Sequence, residues 1–285
     1  MSIVYLNGEY LPMQEAKISP MDRGFLFGDG IYEVIPSYDG KLVGFAPHIQ
    51  RLNEGLQLIG INCSREQQEW REICEQLIEK NDGLNLGIYL HISRGADTKR
   101  FHAYPEDLPA TVYAFAFEIP AASIADKSKA KTYKVSTTED LRWQRCNIKS
   151  TALLGNVMHF QHGFSRGYNE TILFNNNNEM TEGSACNAYI VKNGMVITPP
   201  LDNQILPGIT RFMLLDILSR HSSIKVEERI VTMDEVFNAD EVWLTSSSKE
   251  IAPVVEIDGS PVGNGKIGDL WLAAQTLYSA HKADY

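Results

Sequence analysis

The stretch "NIKSTALLGN", residues 147–156, carries one lysine, Lys149, in a run that passes from polar to apolar with no carboxylate beside it. Taken alone, a lysine is a solvated surface cation. Lysine does chemistry when its amine is neutral often enough to attack a carbonyl, which takes desolvation or neighbouring positive charge. Arg142 and Arg145 lie near it in sequence and are the first candidates for that charge.

Around this stretch the chain reads as an ordinary globular protein. Its 285 residues suit one large domain or two moderate ones, and 44% hydrophobic with 22% charged residues excludes a fibrous or disordered class. Lys and Arg total 26 against 36 Asp and Glu, a formal charge of -10 that repels a phosphate backbone, and no basic patch reverses it locally. Nucleic acid is therefore not an expected partner. The opening "MSIVYLNGEYLP" lacks a basic region followed by an apolar run, and no window approaches the roughly 20 apolar residues of a membrane span. The expected location is the cytoplasm. Cys63, Cys74, Cys146 and Cys186 are scattered without a C-x-x-C pair, so reduced thiols are expected and no metal site.

The pattern of elements is mixed α/β. Asn7-Gly8 between two β-prone runs is a hairpin signal at the start. "HIQRLNEGLQLIG" and "SREQQEWREICEQLIEK" carry apolar residues at helical spacing, the second behind a capping box of Ser64 and Gln67. "LGIYLHISRG" and "ATVYAFAFEIP" read as strands returning to the first sheet. A small N-terminal α/β domain over 1–120 follows, then a polar linker over 121–131, then a larger C-terminal domain over 132–285. That second part begins with a strand in "KTYKVSTTE". It continues with strands around an Asn-rich turn at 175–178 and an Asn-Gly hairpin at 193–194. Helices are expected at "GITRFMLLDILSRH", at "TMDEVFNAD" with a capping box of Thr232 and Glu235, and at "IGDLWLAAQTLYSAH".

Three features could join Lys149 in chemistry. Glu182 in "TEGSACN" is a carboxylate between two strand-like runs; buried beside a heterocyclic nitrogen, it would keep that nitrogen protonated. In "LPGITRF" a turn at Pro207-Gly208 opens a helix at Ile209 and Thr210, whose free N–H groups and dipole suit a phosphate. Arg51 and "TSSSKE" (245–250) could add a cation and hydroxyls for the same phosphate.

The segments "RGFLFGDGIYEV", "HIQRL", "NIKSTALLGN", "TEGSACN", "LPGITR" and "TSSSKEIAPV" occur in this order, and together the sequence resembles the fold type IV pyridoxal phosphate enzymes over residues 3–260. That family includes D-amino acid transaminases, branched-chain aminotransferases and aminodeoxychorismate lyases. The resemblance implies a two-domain α/β fold in a homodimer that binds pyridoxal 5'-phosphate. It makes Lys149 the Schiff-base lysine, Glu182 the partner of the pyridine nitrogen, and Arg51, Ile209, Thr210 and Ser247 the phosphate cup. The implied substrates are a small amino acid and a 2-keto acid.

Within the family the chain looks most like the D-amino acid transaminases. Arg100 and His102 after "SRGADTK" match their carboxylate trap, which a neighbouring subunit supplies, and Tyr32 in "DGIYEV" matches the tyrosine that completes it. On a strand-like segment residues 100 and 102 would point the same way and converge on one carboxylate. One departure is that Ile35, Pro36 and Ser37 stand where those enzymes often carry a lysine, and Pro36 removes a main-chain donor. The expected reaction moves an amino group from a D-amino acid such as D-alanine to a 2-keto acid such as 2-oxoglutarate. The lyase and the branched-chain L-amino acid aminotransferase are the alternatives.

Overall fold

In the computed structural model, which describes residues 2–285, Asn7 and Gly8 both take positive φ, 49° and 106°. Such a two-residue turn matches the twist of its flanking strands. Ile3–Leu6 (β1) and Glu9–Pro12 (β2) accordingly pair antiparallel. Next come a one-turn helix Arg23–Phe27 (α1), Gly30–Tyr38 (β3) and Lys41–Leu42 (β4). Helices Phe45–Ile59 (α2) and Gln67–Lys80 (α3) follow, then Asn85–Ser93 (β5) and Thr111–Glu118 (β6). The six strands form one antiparallel sheet in the order β2-β1-β6-β5-β3-β4. α2 packs on β3, and α3 on β1, β5 and β6. Leu52, Trp70, Leu77, Ile31 and Ile88 are fully buried between helices and sheet.

After residue 121 a second sheet is built from Tyr133–Glu139 (β7), the helix Leu154–Phe164 (α4), Glu170–Phe174 (β8), Met180–Gly183 (β9), Asn187–Lys192 (β10) and Met195–Thr198 (β11). The helix Ile209–His221 (α5), Lys225–Glu228 (β12), Met233–Phe237 (α6), Glu241–Ser246 (β13), Glu250–Ile257 (β14), Ser260–Pro261 (β15) and Asp269–His281 (α7) complete it. The order is β12-β11-β10-β13-β14-β7-β8-β9 with β15 on β14; β11/β12, β14/β7 and β7/β8 run parallel. Its core gathers Val135, Ile172, Ala188, Val242, Leu244 and Ala252. By backbone contacts the chain forms two units, Met1–Ala121 with Ile148–Leu153 and Tyr285, and Ala122–Asn147 with Leu154–Asp284. The Lys149 segment thus groups with the first unit, although it lies in the crossover from β7 to β8.

Three local features differ from the sequence reading. α3 starts at Gln67 with Glu66 before it, and the Glu66 N–H donates to Glu69 (2.7 Å), so the capping pair is Glu66 and Glu69 rather than Ser64 and Gln67. Ser64 turns back to Asn62 instead (3.3 Å). α4 is a helix that the sequence reading leaves out: Leu154, Val157, Met158 and Phe164 fall at helical spacing, but they are exposed instead of facing a core. Residues 98–110 form a loop and not a strand, so the alternation argument for Arg100 and His102 does not hold. β5 ends at Ser93, and Gly95 with φ +100 turns the chain away.

Leu52→Ala tests the first core. It should destabilise the unit by about 3 kcal/mol through lost burial and the cavity left behind, read as a lower urea midpoint. An unchanged midpoint would show that α2 contributes little to that core.

Candidate active site

Lys149 is held by main-chain pairing to the outer edge of β3. The Tyr32 N–H donates to the Lys149 carbonyl (3.1 Å), the Thr151 N–H donates to the Gly30 carbonyl (2.9 Å), and Ser150 faces Ile31 as a bridge. The ladder leaves the Lys149 ammonium 4.1 Å from the Tyr32 ring centroid. Glycine is needed at two places for this approach. A Cβ on Gly28, whose φ is +66, would lie 2.8 Å from the Ala152 Cα, and one on Gly30 would lie 2.7 Å from the Ile92 carbonyl oxygen. Pro36 costs the sheet nothing. Its carbonyl accepts from Val43 on the side away from β5, so the missing N–H would also have faced away from the β5 ladder.

Arg51 sits one turn after His48 on α2, and both meet the buried Glu33. Arg51 donates from Nε and Nη2 to the two carboxylate oxygens (2.7 and 2.8 Å), and His48 Nδ1 lies 2.8 Å from Oε2. Burial raises the Glu33 carboxyl, but Arg51 and His48 outweigh it and hold the group well below the usual carboxylate range. Burial holds His48 below its ordinary value against the pull of Glu33, so it is a neutral donor that fixes the carboxylate. Asp29, just before β3, is an ion-pair centre. Arg94 donates to both its oxygens (2.8 and 3.0 Å) and Arg23 to one (2.9 Å).

Arg23 also organises the loop with the expected carboxylate trap, donating to the Phe101 and His102 carbonyls (2.6 and 3.0 Å). Two of the three residues expected in that trap lie near one ring: the Arg100 guanidinium is 5.2 Å and the His102 ring 5.5 Å from the Phe27 centroid. Both are exposed on the loop surface.

In the second unit, Glu182 ends up as a buried, paired carboxylate. Arg142 Nη1 donates to Oε1 (2.7 Å), and the Leu206 N–H and Asn187 Nδ2 donate to Oε2 (3.1 and 3.2 Å). Arg142 is fixed in turn by Asp140 through Nε and Nη2 (2.9 and 2.7 Å), so it serves Glu182 and is not a free charge for a lysine. Burial pushes the Glu182 carboxyl up to about 7, against the pull of Arg142 and Leu206. Asn187 also holds the Leu206 carbonyl (2.8 Å), and its strand register places it opposite Thr245. That register brings the α5 N-terminus with Ile209 and Thr210, both buried, to the same end of the sheet as Ser247 in the β13–β14 turn. The cation of "TSSSKE" is paired elsewhere: the Lys249 ammonium lies 3.6 Å from the buried Glu170.

A family model described as Amino-transferase class IV matches residues 30–257. The chain belongs to the class IV aminotransferases. It is 37% identical over 271 residues to the D-alanine aminotransferase of Staphylococcus haemolyticus, covering 94% of this chain and 93% of that protein. With the D-alanine aminotransferase of Bacillus licheniformis it shares 37% identity over 273 residues, 96% and 94% of the two chains. Among solved structures, the branched-chain amino acid aminotransferase of Escherichia coli superposes with a TM-score of 0.89 at 25% identity, covering 98% and 93% of the chains. Its two-domain fold is thus that of the fold type IV enzymes. No helix of this aminotransferase among the described residues is long and apolar enough to cross a membrane.

Sequence reading missed Glu33, His48, Asp29, Arg142, Asn187 and Glu170 as members of the site's framework. For Glu33 a signal existed: it alternates with Ile31 and Ile35 on the inward face of a strand, where a carboxylate must be paired. His48 and Arg51, three apart on one helix face, are its natural partners.

The Glu182 shift fixes a pH dependence in the cofactor-free protein. Its folded value of about 7 exceeds the ordinary 4.5, so its contribution is full below about pH 4.5 and lost as pH rises through about 7. Glu182→Gln should remove a fall of about 3 kcal/mol over that window, measured as the difference between wild-type and variant unfolding free energies. Parallel wild-type and variant curves would refute the shift.

Proposed function

We propose that this aminotransferase moves the amino group of a D-amino acid, such as D-alanine, to a 2-keto acid, such as 2-oxoglutarate. In this reading it works as a homodimer with pyridoxal 5'-phosphate and by a ping-pong mechanism. The observation that carries the reading is the main-chain ladder that sets the Lys149 amine against the Tyr32 ring, 4.1 Å from its centroid. Similarity to D-alanine aminotransferases over 94% of the chain supports the choice of substrate.

The donor set suits the cofactor. Two main-chain N–H groups at the α5 start, the Ser247 hydroxyl and Arg51 are phosphate ligands by chemistry. The Glu182 carboxylate keeps acceptor capacity beside its three donors, which suits a protonated ring nitrogen. When bound, pyridoxal phosphate supplies an electron sink conjugated to the amino-acid nitrogen.

The chain's own residues then divide the work. Lys149 would hold the cofactor, and its amine, when free, would take the proton from the substrate Cα. Glu182 holds a proton at the ring nitrogen, and Arg142 with Asp140 fixes the direction in which its carboxylate points. Glu33 and His48 aim the Arg51 guanidinium. Tyr32, with Arg100 and His102 contributed across the dimer interface, orients the substrate carboxylate. A carboxylate fixed on that side leaves one face of Cα toward Lys149, which is the basis for choosing the D-isomer.

The fold likeness to the Escherichia coli branched-chain enzyme favours one second reading, transamination of branched-chain L-amino acids. D-alanine, L-leucine and aminodeoxychorismate offered separately, the amino acids with 2-oxoglutarate, discriminate the readings. Turnover of D-alanine with parallel double-reciprocal lines is expected. Arg100→Ala should raise KM for D-alanine by about tenfold or more, the size of a lost charge-assisted hydrogen bond. Activity on L-leucine that survives Arg100→Ala would overturn the assignment.

A further inference from the structure

The buried carboxylate of Glu170 takes no part in the reaction above, yet it meets both loops that carry candidate cofactor residues. It opens β8 and is 1% exposed. Its Oε1 accepts from the Thr171 N–H (2.9 Å) and from the Ser184 hydroxyl. Its Oε2 faces the Cys186 thiol at 3.5 Å and the Lys249 ammonium at 3.6 Å. Ser184 and Cys186 belong to "TEGSACN", the segment that carries Glu182. Lys249 belongs to the turn that carries Ser247.

That turn is held from two sides. The Lys249 N–H returns to the Ser246 carbonyl (3.2 Å) and hydroxyl (3.3 Å), and Glu250 closes the turn with a φ of +53, unfavourable for a residue with a side chain. The buried Glu250 carboxylate is bound by Gln275 (2.9 Å), by the Ser123 N–H (3.2 Å) and by Lys282. On the opposite side Lys249 reaches across to Glu170 at the start of β8. A buried ion pair is direction-giving because removing one partner leaves the other charge uncompensated in a poorly solvated place.

We propose that Glu170 and Lys249 are positioning residues whose ion pair sets the Ser247 turn and the Glu182 segment relative to each other. Affinity for the cofactor's phosphate then depends on two side chains that do not touch it. The inference rests on the reading of Ser247 as a phosphate ligand. It also accounts for a lysine in "TSSSKE" that lies next to the phosphate cup in sequence while its charge is spent on Glu170.

The test compares pyridoxal 5'-phosphate with unphosphorylated pyridoxal, each titrated by absorbance into full-length cofactor-free protein. Lys249→Gln and Glu170→Gln should each weaken pyridoxal phosphate by about tenfold more than they weaken pyridoxal, the size of coupling within one ion-pair network. Lys249→Arg, which keeps the charge, should restore most of it. Equal losses for both ligands, or none, would overturn the inference. Ser247→Ala is the control: if it leaves pyridoxal phosphate affinity intact, the phosphate assignment falls and the inference with it. The wild type gives an independent measurement should a variant not fold. Inorganic phosphate should slow alkylation of Cys186, followed by peptide mass spectrometry, because the thiol and the turn share Glu170. A rate unaffected by phosphate counts against the proposal.

Discussion

The placement of Lys149 depends on the hydrogen bond from the Tyr32 N–H to the Lys149 carbonyl, with its companion from Thr151 to Gly30. A sheet edge presents unpaired main-chain groups, and here the crossover from β7 to β8 supplies the partners. Because the pairing is through backbone, it fixes where Lys149 sits whatever its side chain is doing. The glycines at 28 and 30 leave room for that segment against β3 and β5. A β-carbon at 28 would push Ala152 off the edge, and one at 30 would collide with the Ile92 carbonyl of β5.

Within each unit the buried charges are satisfied in small closed groups. Glu33 is shared by His48 and Arg51, Asp29 by Arg23 and Arg94, and Glu182 by Arg142 and Asn187. An ion taken out of water costs several kcal/mol unless it is both paired and hydrogen-bonded, so each group has little freedom to rotate. That restriction suits a transaminase. The Glu182 carboxylate and the Arg51 guanidinium are each held by protein partners, so little ordering of either is left to be done when a ligand binds.

Much of the fold could be read directly. The two Asn-Gly turns fall where positive φ is required, α2 and α3 follow their apolar periodicity, and Thr232 caps α6 as its motif indicates. What escaped the reading shares a cause. α4 exposes its apolar residues, β3 buries Glu33 and Ser37 and contains Pro36, and the loop at 98–110 looks strand-like only because Phe101 and its neighbours are aromatic or long. In each, tertiary surroundings override the local pattern that sequence reading relies on.

The sequence by itself determined the family, because the segments around Lys149, Glu182, Ile209 and Ser247 occur in the order of the class IV aminotransferases. It could not say which charge meets which. Arg142, seven residues from Lys149, is spent on Asp140 and Glu182, and Lys249, beside the serines, is spent on Glu170. Only the tertiary structure decides such pairings. Each depends on which side chains become buried together, and proximity along the chain carries no information about that.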